Sequence, residues 1–170
     1  ILQGIPLGEM PLEYNRRNKM ETKIYAAYGS NMHLNQMKKR CPKAQVLGSG
    51  ELLDYRITFR GKQSGVANVE KMPGGRVPIV LWEITKECER ALDRYEGYPQ
   101  LYKKIKAKVL AANGEQDAML YVMAEEYESM PALPSDYYFE IIRQGYADNG
   151  ISTKPLLEAL ASANAEMQAK

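Results

Sequence analysis

The sequence predicts an α+β domain, a curled sheet or barrel with helices beside it, and not a doubly wound parallel sheet. Two observations carry this. Six segments show strand patterning with few helical segments between them, and the remaining helical patterns gather after the last strand. Residues 21–170 read as one domain. Residues 1–20 are set apart as an N-terminal leader, arm or expression scar. They hold two prolines and the polar run Asn15-Arg16-Arg17-Asn18, and lack the apolar core and cleavage site of a signal peptide.

The first strand is the apolar, aromatic Lys23–Tyr28, which runs into Gly29-Ser30-Asn31. A short helix from Met32 to about Arg40 follows, with Ser30 or Asn31 as its cap, three basic residues at its end and Pro42 to stop it. Glu51–Arg60 alternates, placing Leu53, Tyr55, Ile57 and Phe59 on one face and Asp54, Arg56, Thr58 and Arg60 on the other. Two further strands, Val66–Val69 and Val77–Ile84, are expected on either side of a turn at Pro73-Gly74-Gly75. A helix over Lys86–Tyr95 is capped by Thr85, with Cys88, Ala91, Leu92 and Tyr95 as its apolar stripe. Leu101–Leu110 and Asp117–Ala124 form a hairpin across Asn113-Gly114. Helices over Ser135–Tyr146 and Pro155–Ala163 complete the chain.

Bulk properties exclude several functional classes. The chain has 170 residues, 45% of them hydrophobic and 26% charged, which is enough for one well-buried core. A net charge of +2 is too balanced for a nucleic-acid or membrane-surface binder. No apolar stretch approaches the length of a membrane span. Cys41 and Cys88 stand in neither a CxxC nor a zinc spacing and read as small buried hydrophobes, which fits a reducing, cytoplasmic setting. The one histidine, His33, reads as a solvated first-turn residue and leaves little room for a Ser–His or Cys–His pair or a metal site.

Two segments can carry chemistry. In Tyr28-Gly29-Ser30-Asn31, a strand gives way to a helix start, where unpaired backbone N–H groups can hold a carboxylate or phosphate. The same tetrapeptide reads equally as a capped turn. In Leu92-Asp93-Arg94-Tyr95-Glu96-Gly97, the glycine suits the left-handed end of a helix and places Glu96 at its negative pole. That position tends to raise a carboxyl pKa, and a raised pKa suits proton transfer near neutral pH. A solvated surface glutamate is the plainer alternative. Glu89 and Asp93 read as exposed helix residues. Among twelve tyrosines, Tyr102, Tyr121, Tyr127, Tyr137 and Tyr138 can line a polar cavity, although each alone suits a core or strand position.

Taken together, these segments resemble the γ-glutamylcyclotransferase family. The likeness runs from Tyr25-Ala26-Ala27-Tyr28-Gly29-Ser30-Asn31 through Leu92-Asp93-x-x-Glu96-Gly97. It continues with Tyr102, Tyr121-Val122-Met123, Tyr127-Glu128-Ser129, Pro134-Ser135, Tyr138 and Asn149-Gly150. The resemblance implies a small closed mixed β-barrel of about five to seven strands with flanking helices. It implies a substrate loop at Tyr28, Gly29, Ser30 and Asn31, a catalytic acid/base at Glu96, and pocket tyrosines at Tyr102 and Tyr138. It further implies intramolecular attack of a γ-glutamyl α-amine on its own amide, releasing 5-oxoproline and an amine or amino acid, without cofactor or metal. The implied partner is a small γ-glutamyl compound, with no nucleic acid and no membrane, and with a homodimer left open. A non-catalytic or divergent member of the fold that binds a small acidic ligand is the alternative. Gly61–Val69, expected to edge the pocket, has its own sequence here and leaves the choice of γ-glutamyl substrate open.

Overall fold

The computed structural model describes residues 21–170. The leader, arm or scar assigned to residues 1–20 lies outside them. Five strands are present: β1 (Thr22–Ala27), β2 (Gln45–Arg60), β3 (Val66–Thr85), β4 (Tyr102–Ala111) and β5 (Gly114–Met123). They close in the order β1-β3-β2-β4-β5. Neighbours are antiparallel except where β1 meets β5 in parallel at Tyr25 and Met119, so the ring is a small mixed barrel. Four α-helices flank it: α1 (Leu34–Arg40), α2 (Lys86–Glu96), α3 (Asp136–Asp148) and α4 (Lys154–Gln168). Short 3-10 turns cover Ser30–Met32 and Glu125–Ser129. Among the described residues no helix is long and apolar enough to cross a membrane.

Inward-facing Leu52, Phe59, Val77, Ile79, Val109 and Leu120 fill the core and are fully buried or nearly so. Each contributes on the order of 1.5–3 kcal/mol by leaving water.

The strands differ from the sequence reading in several places. Pro73-Gly74-Gly75 does not separate two strands. It is a bulge within one long strand, where pairing with β2 passes from Tyr55↔Lys71 to Leu53↔Arg76. Asp54 sits opposite with φ of +63°, and its Oδ1 accepts a hydrogen bond from the Gly74 amide at 2.9 Å. The bulge also resets the alternation of β2. Leu52, not Leu53, is buried before it, and Tyr55, Ile57 and Phe59 after it. The face expected to be polar and exposed then becomes partly internal, because α4 packs against β2: Arg60 is only 2% exposed and donates to Glu70 on β3 and Glu166 on α4. Strand β2 also begins earlier than expected, at Gln45, over an exposed stretch with no alternation to mark it.

The helices position the site. Ser30–Met32 is a 3-10 turn, and α1 is capped not by Ser30 or Asn31 but by His33, whose Nδ1 accepts from the Gln36 amide at 3.3 Å. The His33 side chain is correspondingly mostly covered, close to Asp148. Thr85 caps α2 by accepting from the Cys88 amide, as expected. Gly97 ends the helix at φ of +64°, a left-handed conformation that glycine takes without penalty, and this fixes Glu96 as its last residue. Helix α3 lies against the 3-10 turn so closely that a Cβ on Gly145 would stand 2.8 Å from the His33 amide nitrogen. Cys41 and Cys88 are buried free thiols, and burial pushes the Cys41 thiol up to about 12.

Candidate active site

A cavity of about 210 Å³ is lined by the residues that the resemblance implied as loop, acid/base and pocket tyrosines: Tyr28, Gly29, Ser30, Asn31, Glu96, Tyr102 and Tyr138. They arrive from different elements. Tyr28 to Asn31 leave β1, Glu96 ends α2, Tyr102 opens β4, and Tyr138 stands in the first turn of α3.

Of the rest of the lining, Val66 and Ala67 come from the Gly61–Val69 segment expected to edge the pocket, while Tyr25, Tyr95 and Leu101 are additions that the sequence did not place there. Tyr121 lines it too, as one of the tyrosines suited to a cavity. Of the others named in that group, Tyr127 packs against the core and Tyr137 is 77% exposed. Tyr95 had been read as part of the apolar stripe of α2. It is 47% exposed instead, with its hydroxyl 3.2 Å from Ser30 Oγ and its ring under the Arg40 guanidinium at 3.5 Å. Gly61–Val69 does edge the pocket: the Ala67 amide donates to Tyr138 Oη at 3.0 Å, and its carbonyl accepts from Tyr102 Oη at 2.7 Å.

Asn31 is the most connected of these residues. Its Nδ2 donates to Tyr25 Oη at 3.0 Å and to Glu96 Oε1 at 3.3 Å. Its Oδ1 accepts from Arg40 Nη1, which also donates to Ser30 Oγ at 3.2 Å. Its carbonyl accepts from Trp82 Nε1 at 3.1 Å. The side chain therefore joins the loop to the glutamate and does not cap a helix. No sequence signal marked Arg40, whose place at the end of α1 already had a sufficient reason in the helix dipole.

Burial pushes the Glu96 carboxyl from its ordinary range up to about 7, and the nearby charge of Arg40 only partly opposes this. The expectation of a raised pKa therefore holds, with loss of water as its leading cause. Burial also holds Tyr25, Tyr28, Tyr102 and Tyr138 neutral far above the usual phenol range, with the charge of Glu96 adding to it. The cavity thus offers one carboxyl poised near neutrality among neutral hydroxyls. Ser30 and Asn31 open a 3-10 turn, and their amides have no acceptor within it. With only three residues in that turn, they serve as local donors without a macrodipole behind them.

Glu89 and Asp93 correct another expectation. They are not free surface carboxylates: Lys104 Nζ contacts Glu89 at 2.8 Å and Asp93 at 2.9 Å, Lys23 bridges Glu89 at 2.7 Å, and Asp93 accepts from Tyr121 Oη at 2.6 Å. These contacts tie the cavity-facing helix α2 to β1, β4 and β5. Among the described residues no group of three or more His, Cys, Asp or Glu is placed to hold a metal ion.

Comparison with known proteins converges on one group. The family model for "Gamma-glutamyl cyclotransferase, AIG2-like" matches residues 25–140. The γ-glutamylcyclotransferase of Homo sapiens is 32% identical over 140 residues, spanning 77% of this chain and 73% of that protein. The Mus musculus protein of the same name matches at the same identity and coverage. A solved structure titled "Gamma-glutamyl cyclotransferase" superposes with a TM-score of 0.70 at 32% identity, covering 85% of this chain and 88% of that one. With its sequence and fold shared with these relatives, this chain belongs to the γ-glutamyl cyclotransferase, AIG2-like family.

Proposed function

We propose that the protein cyclises γ-glutamyl amides, releasing 5-oxoproline and the freed amine or amino acid, with Glu96 as its one general acid/base. The observation that carries this reading is the Glu96 carboxyl, pushed up to about 7 and sharing one cavity with the Tyr28–Asn31 loop.

The substrate brings its own nucleophile. Ionised Glu96 takes a proton from the α-ammonium, and the freed amine nitrogen attacks the γ-carbonyl carbon to form a five-membered ring. The carbonyl electron pair moves onto oxygen, and the loop amides are suited to stabilise that oxyanion or to hold the α-carboxylate. When the pair returns, the bond to the departing nitrogen breaks, and protonated Glu96 delivers its proton to that nitrogen. The excess proton from the ring nitrogen leaves to solvent, so the carboxyl ends as it began, ionised. A carboxyl balanced near neutrality can serve in both directions. Holding amine and carbonyl together in a snug cavity supplies much of the rest, because a well-oriented intramolecular reaction can lower its barrier by about 7–11 kcal/mol. In this reading Tyr102 and Tyr138, bonded to the carbonyl and the amide of Ala67, shape the pocket wall.

The test is incubation with a panel of γ-glutamyl dipeptides and γ-glutamyl amines, assayed for 5-oxoproline, alongside Glu96→Gln. The reading expects release from at least one class and none above background from the variant. Near-normal turnover by a folded Glu96→Gln would remove Glu96 from its role.

A further inference from the structure

We propose that Arg40 is a positioning residue for Glu96, acting through Asn31: a donor-only guanidinium fixes which way the Asn31 carboxamide points, and so directs its N–H at the carboxyl. The proposal rests on the cyclisation reading for its kinetic consequences and on geometry alone for its structural ones.

A carboxamide has an acceptor end and a donor end of nearly equal shape, and its neighbours decide which way round it sits. Arginine has no acceptor, so the atom meeting Arg40 Nη1 has to be Oδ1. Nδ2 is then turned the other way, where it reaches Tyr25 Oη at 3.0 Å and Glu96 Oε1 at 3.3 Å. Arg40 is itself held in place, stacked on the Tyr95 ring at 3.5 Å and bonded to Ser30 Oγ at 3.2 Å. Asn31 is 2% exposed, so water cannot readily replace a lost partner.

The consequence is asymmetry in the carboxyl. Oε1 accepts a fixed amide N–H, and an amide donor favours an unprotonated oxygen there, the better acceptor. Oε2 makes no hydrogen bond among the described residues and is the oxygen left to carry the mobile proton. Among the described residues, Arg40 is also the cation whose charge opposes the effect of burial on Glu96. The other titratable groups around the carboxyl are tyrosines: Tyr25 on β1, Tyr28 just after it, Tyr102 on β4, Tyr121 on β5 and Tyr138 on α3 are held neutral by burial, and the half-exposed Tyr95 on α2 stands beside them.

The experiment compares Arg40→Met and Arg40→Lys with the unaltered chain, each checked for folding by circular dichroism. For 5-oxoproline release, Arg40→Met should lower kcat by about 10–100-fold while KM changes only a few-fold, since a misplaced reacting group costs this much. The acid limb of its pH profile should move up by about one unit, because a favourable charge is gone. Arg40→Lys should bring the limb back but leave kcat depressed, since an ammonium cannot reproduce the planar fork. In an Asn31→Ala background, Arg40→Met should lower kcat no further. A folded Arg40→Met with kcat within about twofold of the unaltered chain and an unmoved limb overturns the proposal, as does a full multiplicative loss in the double variant. If Arg40→Met does not fold, the kcat of Arg40→Lys decides. A readout independent of turnover separates this from failure of the cyclisation reading: the carbon-13 titration of the Glu96 carboxyl, identified by its loss in Glu96→Gln. Its midpoint should rise in Arg40→Met and return in Arg40→Lys. An unmoved midpoint overturns the proposal whether or not 5-oxoproline is formed.

Discussion

Glu70 and Glu96 are both drawn away from water, and their surroundings push them in opposite directions. Glu70, on the face of the barrel under α4, is 8% exposed. Burial alone would lift its pKa. Two contacts from Arg60, at 2.6 and 3.1 Å, one from Arg56 at 3.0 Å and one from Thr58 at 3.2 Å outweigh it and hold the carboxyl below its ordinary range. Glu96 faces its cavity with one neutral amide on Oε1 and no cation in contact, and burial carries it up to about 7. The difference teaches how the fold separates structure from chemistry. A buried carboxylate locked between arginines is fixed in one protonation state. A buried carboxyl denied a cation can change state near neutral pH, at a cost to stability.

The comparison can be broken or sharpened by substitution. The largest effect should come from Glu96→Gln, which removes the proposed acid/base and should lower 5-oxoproline release by about 10²–10⁴-fold. Next is Arg60→Met, which leaves Glu70 buried with Arg56 as its remaining cation. Denaturant unfolding should show a loss of about 3 kcal/mol, towards the low end for a broken buried pair, with activity per folded molecule unchanged. Because the Glu70 pKa is depressed, the stability it contributes is present above its ordinary pKa and is lost as pH falls through the folded value. The difference between Arg60→Met and the unaltered chain should therefore shrink in acid.

Glu96 has the opposite sign. Its folded pKa lies above its unfolded one, so its penalty is absent below about pH 4.5, grows as pH rises towards 7, and is constant beyond. Glu96→Gln should therefore be more stable than the unaltered chain by about 2–3 kcal/mol at pH 8, allowing for the solvent that reaches the cavity, with no gain at pH 4.5. The smallest effect belongs to Arg56→Ala. That side chain is 45% exposed, and its loss should cost no more than about 1 kcal/mol. A larger loss would show that Glu70 depends on both arginines equally.

Much of this was legible in the sequence, for identifiable reasons. Thr85 and Gly97 are strong local punctuation, so α2 and the place of Glu96 at its end could be read directly. The Tyr28–Asn31 loop was legible because a strand patterned by tyrosines ends there in glycine. What failed was non-local. Pro73-Gly74-Gly75 has turn chemistry, but whether such a segment turns or bulges depends on the partner strand, here on Asp54. The burial of Arg60 on the polar face of β2 was not legible, because alternation cannot foresee a helix arriving from the C-terminus to cover that face. Tyr95 fitted an apolar stripe because spacing cannot report that a ring is stacked under a guanidinium. The roles of Asn31 and Arg40 lay beyond reach for the same reason, since each follows from its contacts and not from its neighbours in the chain.

The central claim is that Glu96 is a carboxyl poised to gain and lose a proton near neutrality. The most direct measurement is the carbon-13 chemical shift of that carboxyl followed from pH 3 to pH 9 in substrate-free protein, with Glu96→Gln identifying the signal. The account predicts a midpoint near 7. A midpoint near 4.5, the behaviour of a solvated glutamate, would contradict it.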